Sequence, residues 1–260
     1  MVCNEGDIIL DAFAGSGTTG HAVVELNRNA EDDFYRFILC EVNDYCNAVT
    51  KPRIQKSIYS SEWRDAKPVS RNGISQCFKY IRLEQYEDTL NNLVIKANEL
   101  NFQPNEFKES YMLSYMLDTE TRDSLLNLKW FENPFEMTLK TTKDNELVET
   151  KVDMVETFNY LIGLNVETED WYQDDNICVV QGKTHREGLK TLVIWRNCKE
   201  VNNDQLCMFF DKMDFRTRDT EFDLIYVNGD NTLPNLKRDE DHWKVVLTEE
   251  EFQKRMFEEE

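Results

Sequence analysis

One stretch near the start constrains the fold more than any other: Gly6-Asp7-Ile8-Ile9-Leu10-Asp11-Ala12-Phe13-Ala14-Gly15-Ser16-Gly17-Thr18-Thr19-Gly20. Ile8, Ile9 and Leu10 form a short apolar run, the pattern of a strand buried on both faces. Asp11 ends the run. Gly15 and Gly17 then demand a tight turn with bare backbone, and Thr18, Thr19 and the sequence from His21 to Leu26 open a helix. A strand, a glycine turn and a helix N-terminus make a seat for a negatively charged group. The first-turn N–H groups have no partner within the helix, and the helix dipole favours an anion there.

A second strand is expected over residues 34–41, Phe-Tyr-Arg-Phe-Ile-Leu-Cys-Glu, parallel to the first through a right-handed crossover. It ends in Glu41. In nucleoside-binding folds an acid at this place accepts hydrogen bonds from the vicinal hydroxyls of a ribose. The other reading of Glu41 is an acid at the start of the next helix, since Asn43 and Asp44 follow it.

Further along, a helix is expected over 44–58 with a kink or break at Pro52, and a loop over 60–75. Residues 78–83 alternate like a strand, and 84–100 repeat like an amphipathic helix. Short helices are expected over 107–117 and 119–128, then a strand over 135–142 and a helix over 152–164 stopped by Gly163. Strands follow at 170–173, 177–181 and 189–196, a helix at 204–213 and a strand and turn at 224–230. The last expected element is a helix over 248–256 capped by Thr248.

Charge separates the two parts of the chain. Residues 1–80 hold 11 acidic and 9 basic residues, whereas residues 81–260 hold 39 and 21. A surface that grips DNA phosphates is basic, so the acidic part is not expected to lie along DNA. It reads as a solubilising face, with a surface for a basic protein partner as the sharper alternative. The 7 cysteines are scattered, with no Cys-x-x-Cys pair, which suits reduced thiols in a cytoplasmic protein. No apolar run is long enough to span a membrane, and 3 scattered histidines give no expectation of a metal site.

Three ligand classes could use the glycine turn. Gly15 and Gly20 have phosphate-loop spacing, but His21 stands where the phosphate-binding lysine belongs. Gly15-Ser16-Gly17-Thr18-Thr19-Gly20 also satisfies the dinucleotide pattern, with Glu41 at a suitable distance. The third class is S-adenosylmethionine. Its carboxylate suits the N–H groups of the turn, its ammonium suits Asp11 and its ribose suits Glu41; a dinucleotide has no ammonium to offer Asp11.

Asp11-Ala12-Phe13-Ala14-Gly15-Ser16-Gly17-Thr18-Thr19 resembles the cofactor motif of amino-DNA methyltransferases. The likeness extends along the chain. Phe78-Lys79-Tyr80-Ile81-Arg82-Leu83-Glu84-Gln85-Tyr86-Glu87-Asp88, Asn133-Pro134-Phe135, VDMVETFNYLIGL (152–164), LKTLVIWR (189–196) and Tyr226-Val227-Asn228-Gly229-Asp230 are similar to the C-terminal portion of the modification (Mod) subunits of type III restriction-modification systems. The resemblance implies an α/β chain in two parts. Residues 1–83 would be a partial Rossmann-like methyltransferase fold that binds S-adenosylmethionine through Asp11, Phe13, Ala14, Gly15, Ser16, Gly17, Thr18, Thr19 and Glu41. Residues 84–260 would be a small acidic α+β domain for dimerisation and assembly. The implied activity is methyl transfer to the exocyclic amine of a flipped adenine in DNA. The implied partners are DNA, through the full-length enzyme, a second Mod subunit and the restriction (Res) subunit.

The catalytic loop of such enzymes, a proline pair followed by an aromatic, is expected N-terminal to the cofactor motif. None of the chain's 5 prolines adjoins another. Asn133-Pro134-Phe135 is the nearest match and reads as a turn, so no catalytic residue is assigned. The expectation is therefore a polypeptide inactive on its own, holding one wall of a pocket. Its rivals are a non-catalytic assembly module and, on the glycine pattern and Glu41 alone, a nicotinamide-dependent oxidoreductase.

Overall fold

A computed structural model describes residue 4 and residues 6–30, 34–70, 72–92, 128–143, 146–218, 221–240 and 242–257. The chain divides into two compact units, Met1–Leu83 and Glu84–Glu260. The helix expected over 107–117, most of that over 119–128 and the end of that over 84–100 lie outside the described residues.

The first unit begins with β1 (Ile8–Asp11), α1 (Thr18–Arg28) and β2 (Arg36–Leu39). The two strands are parallel, with Ile8 opposite Arg36 and Asp11 opposite Leu39. Asn27, at the buried end of α1, fixes the start of β2. Its side chain donates to the Tyr35 carbonyl at 2.9 Å and accepts from the Tyr35 N–H at 2.8 Å. Then come a π-helical turn (Cys46–Thr50) and α2 (Lys51–Tyr59). Pro52 lies in the first turn of α2, beside the point where the π-helical turn gives way to the α-helix, which is where the expected break falls. The loop that follows carries a two-residue-per-strand hairpin, β3 (Trp63–Arg64) and β4 (Lys67–Pro68). Residues 78–83 form no strand among the described residues, because alternation makes a strand only where a neighbour offers a ladder.

Burial corrects the expected two-sided β1. The face bearing Leu39 is covered by α1 and α2, whose Val23, Val24 and Ile54 are buried. Gly20 lets the three elements meet: a Cβ there would fall 2.7 Å from the Leu39 side chain and 2.8 Å from that of Ile54. Residues alternate across a strand, so Ile8, Leu10 and Ile38 take the other face. They are 52%, 65% and 51% exposed, and Phe13 beside them is 87% exposed. Both helices lie on one side, so among the described residues the side chains on the opposite face of this parallel pair stay more than half exposed.

The second unit starts with α3 (Tyr86–Asn92), a 3₁₀ turn (Leu128–Glu132) and the hairpin β5 (Thr138–Lys143) and β6 (Glu146–Lys151). Buried Asp88 ties α3 to β5, accepting from the Thr142 N–H at 2.8 Å and hydroxyl at 2.7 Å. Next is α4 (Met154–Leu161), capped by Asp153 and closed at Gly163, whose φ is +63°. The remaining strands are β7 (Leu164–Tyr172), β8 (Ile177–Thr184), β9 (Lys190–Arg196), β10 (Leu224–Val227) and β11 (Val245–Leu247). Between β9 and β10 lies α5 (Asn203–Lys212), opened by a capping box between Asn202 and Gln205. The chain ends with α6 (Thr248–Phe257). Thr248 is its first residue rather than its cap, because β11 runs straight into it; the hydroxyl donates to Glu249.

These strands form one mixed sheet in the order β11-β10-β9-β8-β7. β7, β8 and β9 are an antiparallel meander, and β10 and β11 add parallel to β9. Period-two alternation gives the sheet two cores. Cys178, Val180, Val193 and Trp195 face Met154, Phe158 and Phe252. Ile177, Val179, Leu192 and Ile194 face Leu206, Phe209 and Phe210. At the ends of β9 and β10 the buried Asn228 joins three segments. It accepts from the Arg196 N–H at 2.7 Å and donates to the carbonyls of Phe131 at 2.6 Å and Arg196 at 2.8 Å. Replacing Asn228→Ala strands these partners in a dry interior, where each unsatisfied group costs about 1–3 kcal/mol. The expected outcome is a loss of about 3 kcal/mol from the stability of this unit, measured by urea unfolding followed through tryptophan fluorescence.

Candidate functional site

The β1 ladder runs past the strand end into the glycine turn. Cys40 N–H donates to the Asp11 carbonyl and Ala14 N–H to the Cys40 carbonyl, both at 2.9 Å. The next residue of that chain is Glu41, so parallel pairing delivers its carboxylate to the turn. One oxygen accepts from the Gly15 N–H at 2.8 Å and the other from the Asn43 N–H at 3.0 Å. These backbone N–H groups, Asn43 first and then Gly15, hold the Glu41 carboxyl below its ordinary range.

Asp11 braces the other side. It accepts from the Thr19 hydroxyl at 2.5 Å and the Phe13 N–H at 3.2 Å. Gly15 and Gly17 have φ of +53° and +79°, the left-handed region that a side chain strains. Gly17 is the N-cap of α1, and no side chain caps the helix. Its first-turn N–H groups are therefore left for an external acceptor. Ala14 is buried and acts through its backbone, taking the Gly17 N–H at 2.8 Å, whereas Phe13 points into the open.

Of the nine residues read from the sequence, Asp11, Gly15, Ser16, Gly17, Thr18, Thr19 and Glu41 thus meet around one turn. Phe13 and Ala14 flank it. Two residues of the next helix were not foreseen. Thr50, buried at the end of the π-helical turn, donates its hydroxyl to the Gly15 carbonyl at 2.5 Å. Arg53 reaches Ser16 Oγ at 2.9 Å and Thr18 Oγ1 at 3.0 Å. The available signal was Pro52, whose fitness for a helix's first turn places Thr50 and Arg53 together at the start of α2. Asn133 stands elsewhere, in a turn of the second unit, with its amide on Glu136 at 2.7 Å.

The arrangement offers two carboxylates and a positive helix end within one loop. Each carboxylate oxygen has two acceptor positions, so the Thr19 and Phe13 bonds to Asp11, one on each oxygen, leave room for further donors. Such a donor set suits a zwitterion joined to a diol.

Residues 1–51 match the family model described as DNA methylase (N6_N4_Mtase). Searches of curated proteins and of solved structures returned no match. The matched span contains the whole turn, Asp11 and Glu41, and supports a DNA methylase in this part of the chain.

Because the Glu41 carboxyl is lowered, its hold on Gly15 is present above the ordinary glutamate value of 4.5 and is lost as pH falls through the lower folded value. In an NMR titration the Gly15 amide and the Glu41 carboxyl are expected to shift together with a midpoint below 4.5. Glu41→Gln is expected to abolish the Gly15 transition.

Proposed function

We propose that residues 1–83 form the S-adenosylmethionine-binding part, with a partial Rossmann-like fold, of a DNA methyltransferase that modifies the exocyclic amine of adenine. The reading places the chain among the Mod subunits of type III restriction-modification systems. The observation that carries it is the meeting of Asp11, the glycine turn and Glu41 in one loop within a segment that matches DNA methylases. Asp11 would take the cofactor's ammonium on its remaining acceptor positions. Glu41, held ionised, would take the two ribose hydroxyls, and the first turn of α1 would take the carboxylate. Bound there, the cofactor would supply an electrophilic methyl group whose transfer to an amine leaves its sulfonium sulfur as a neutral thioether.

No residue of this chain is assigned to that proton transfer or to stacking on the base. A second polypeptide segment would bring the proline-proline-aromatic loop, and with it the strands and helices that cover Ile8, Leu10, Phe13 and Ile38. Parallel strands are normally buried on both faces, which is the physical support for this half of the reading. DNA would be gripped by that segment rather than by the part holding 39 of the 50 acidic residues. Residues 84–260 would serve subunit assembly, as a Mod dimer and with a Res subunit, in the cytoplasm.

The chain is expected to bind S-adenosylmethionine in preference to NAD, with NMR shift changes centred on Gly15–Thr19 and Glu41. Glu41→Gln is expected to weaken that binding about tenfold, the effect of losing one charge-assisted hydrogen-bond acceptor. With labelled cofactor and duplex DNA, the chain alone is expected to transfer no methyl group. Preferential NAD binding overturns the cofactor assignment, and robust adenine methylation by the chain alone overturns the missing-segment assignment.

A further inference from the structure

Arg53 lies two residues beyond the segment matched to DNA methylases, and on a different helix from the glycine turn. Yet every hydrogen bond it makes goes to that turn or to α1. Nη1 donates to Ser16 Oγ at 2.9 Å, Thr18 Oγ1 at 3.0 Å and the Ser16 carbonyl at 3.4 Å, and Nε donates to His21 Nδ1 at 3.3 Å. The acceptors are hydroxyls, a carbonyl and an imidazole, and no carboxylate is among them. The Nη2 arm makes no hydrogen bond among the described residues.

This is an electrostatically unusual place for a cation. A helix N-terminus carries about half a positive charge, and α1 has neither a capping side chain nor an acidic residue in its first turn. A guanidinium there repels the dipole instead of balancing it. The conflict disappears when an anion sits between them, because the same anion accepts from the first-turn N–H groups and from the planar guanidinium fork. The remaining residues suit an anion of carboxylate size: Ser16 and Thr18 add hydroxyl donors at the same edge, and Gly17 keeps the backbone bare.

We propose that Arg53 binds the carboxylate at the amino-acid end of S-adenosylmethionine, joining the first turn of α1 in holding that group. The inference rests on the cofactor reading above and adds to it a residue that neither the glycine motif nor the matched segment contains. Glu41 and Asp11 would then hold the ribose and ammonium, and Arg53 would distinguish a cofactor with its amino-acid end from a bare nucleoside.

The test compares two ligands that share the nucleoside and differ at that end: S-adenosylhomocysteine, which has the carboxylate, and 5′-methylthioadenosine, which lacks it. Calorimetry or NMR titration of the full chain gives both affinities for the wild type, Arg53→Gln and Arg53→Lys. Arg53→Gln is expected to weaken S-adenosylhomocysteine about tenfold while leaving methylthioadenosine within about twofold, with Arg53→Lys between. Equal losses for both ligands make Arg53 a brace for the turn only and overturn the proposal, as does no loss for either.

Should Arg53→Gln fail to fold, the wild type still decides. Raising salt from about 50 mM to about 500 mM is expected to weaken S-adenosylhomocysteine more than methylthioadenosine, and equal salt sensitivity overturns the proposal. A wild type that binds neither ligand removes the cofactor reading itself, an outcome distinct from binding both without discrimination by residue 53.

Discussion

The hydrogen bond from Gly15 N–H to the Glu41 carboxylate is the contact on which the candidate site depends. It joins residues 26 apart in sequence, and it exists because β1 and β2 are parallel neighbours in one register. Were the strands displaced by one residue, Glu41 would swing to the opposite face and the turn would lose its acid. Asn27 fixes the entry to β2 through its paired bonds to Tyr35, Gly20 admits Leu39 and Ile54 against the helix, and Thr50 holds the Gly15 carbonyl. Each of these protects the geometry of one short loop.

The first unit is asymmetric about its sheet. The Leu39 face is packed under two helices, and on the Leu10 face Ile8, Leu10 and Ile38 are more than half exposed among the described residues. With the exposed Phe13 beside them, Ile8, Leu10 and Ile38 make an exposed apolar patch among the described residues. The second unit has no such imbalance in its central strands. β9 is buried along nearly its whole length, with Val193 and Trp195 in one core and Leu192 and Ile194 in the other. The segments 189–196 and 226–230 have a structural occupation here. They supply the two central strands and the Arg196–Asn228 junction at their ends.

Much of this organisation was readable before any coordinates. The helix over 152–164 has its cap at Asp153 and its stop at Gly163, because capping oxygen and left-handed glycine are local requirements. The strand expected at 78–83 does not form among the described residues, since alternation carries no information about whether a neighbour is present. The break expected at Pro52 falls beside the change from π-helical turn to α-helix, since proline removes the N–H that an unbroken ladder needs. The expected second face of β1 was also not met, because a run of three apolar residues does not say where the covering helices lie.

The sequence by itself determined the strand, the acid, the glycine turn and the helix opening, since φ preference, bare backbone and apolar runs act over a few residues. It also placed an acid at the end of the second strand. Only the tertiary structure decided that Glu41 touches Gly15, that Thr50 and Arg53 close on the same turn from 35 and 37 residues away, and that Ile8, Leu10 and Ile38 share an exposed face among the described residues. Those outcomes follow from strand register and from the side on which two helices pack, and both are set by contacts between residues far apart in the chain.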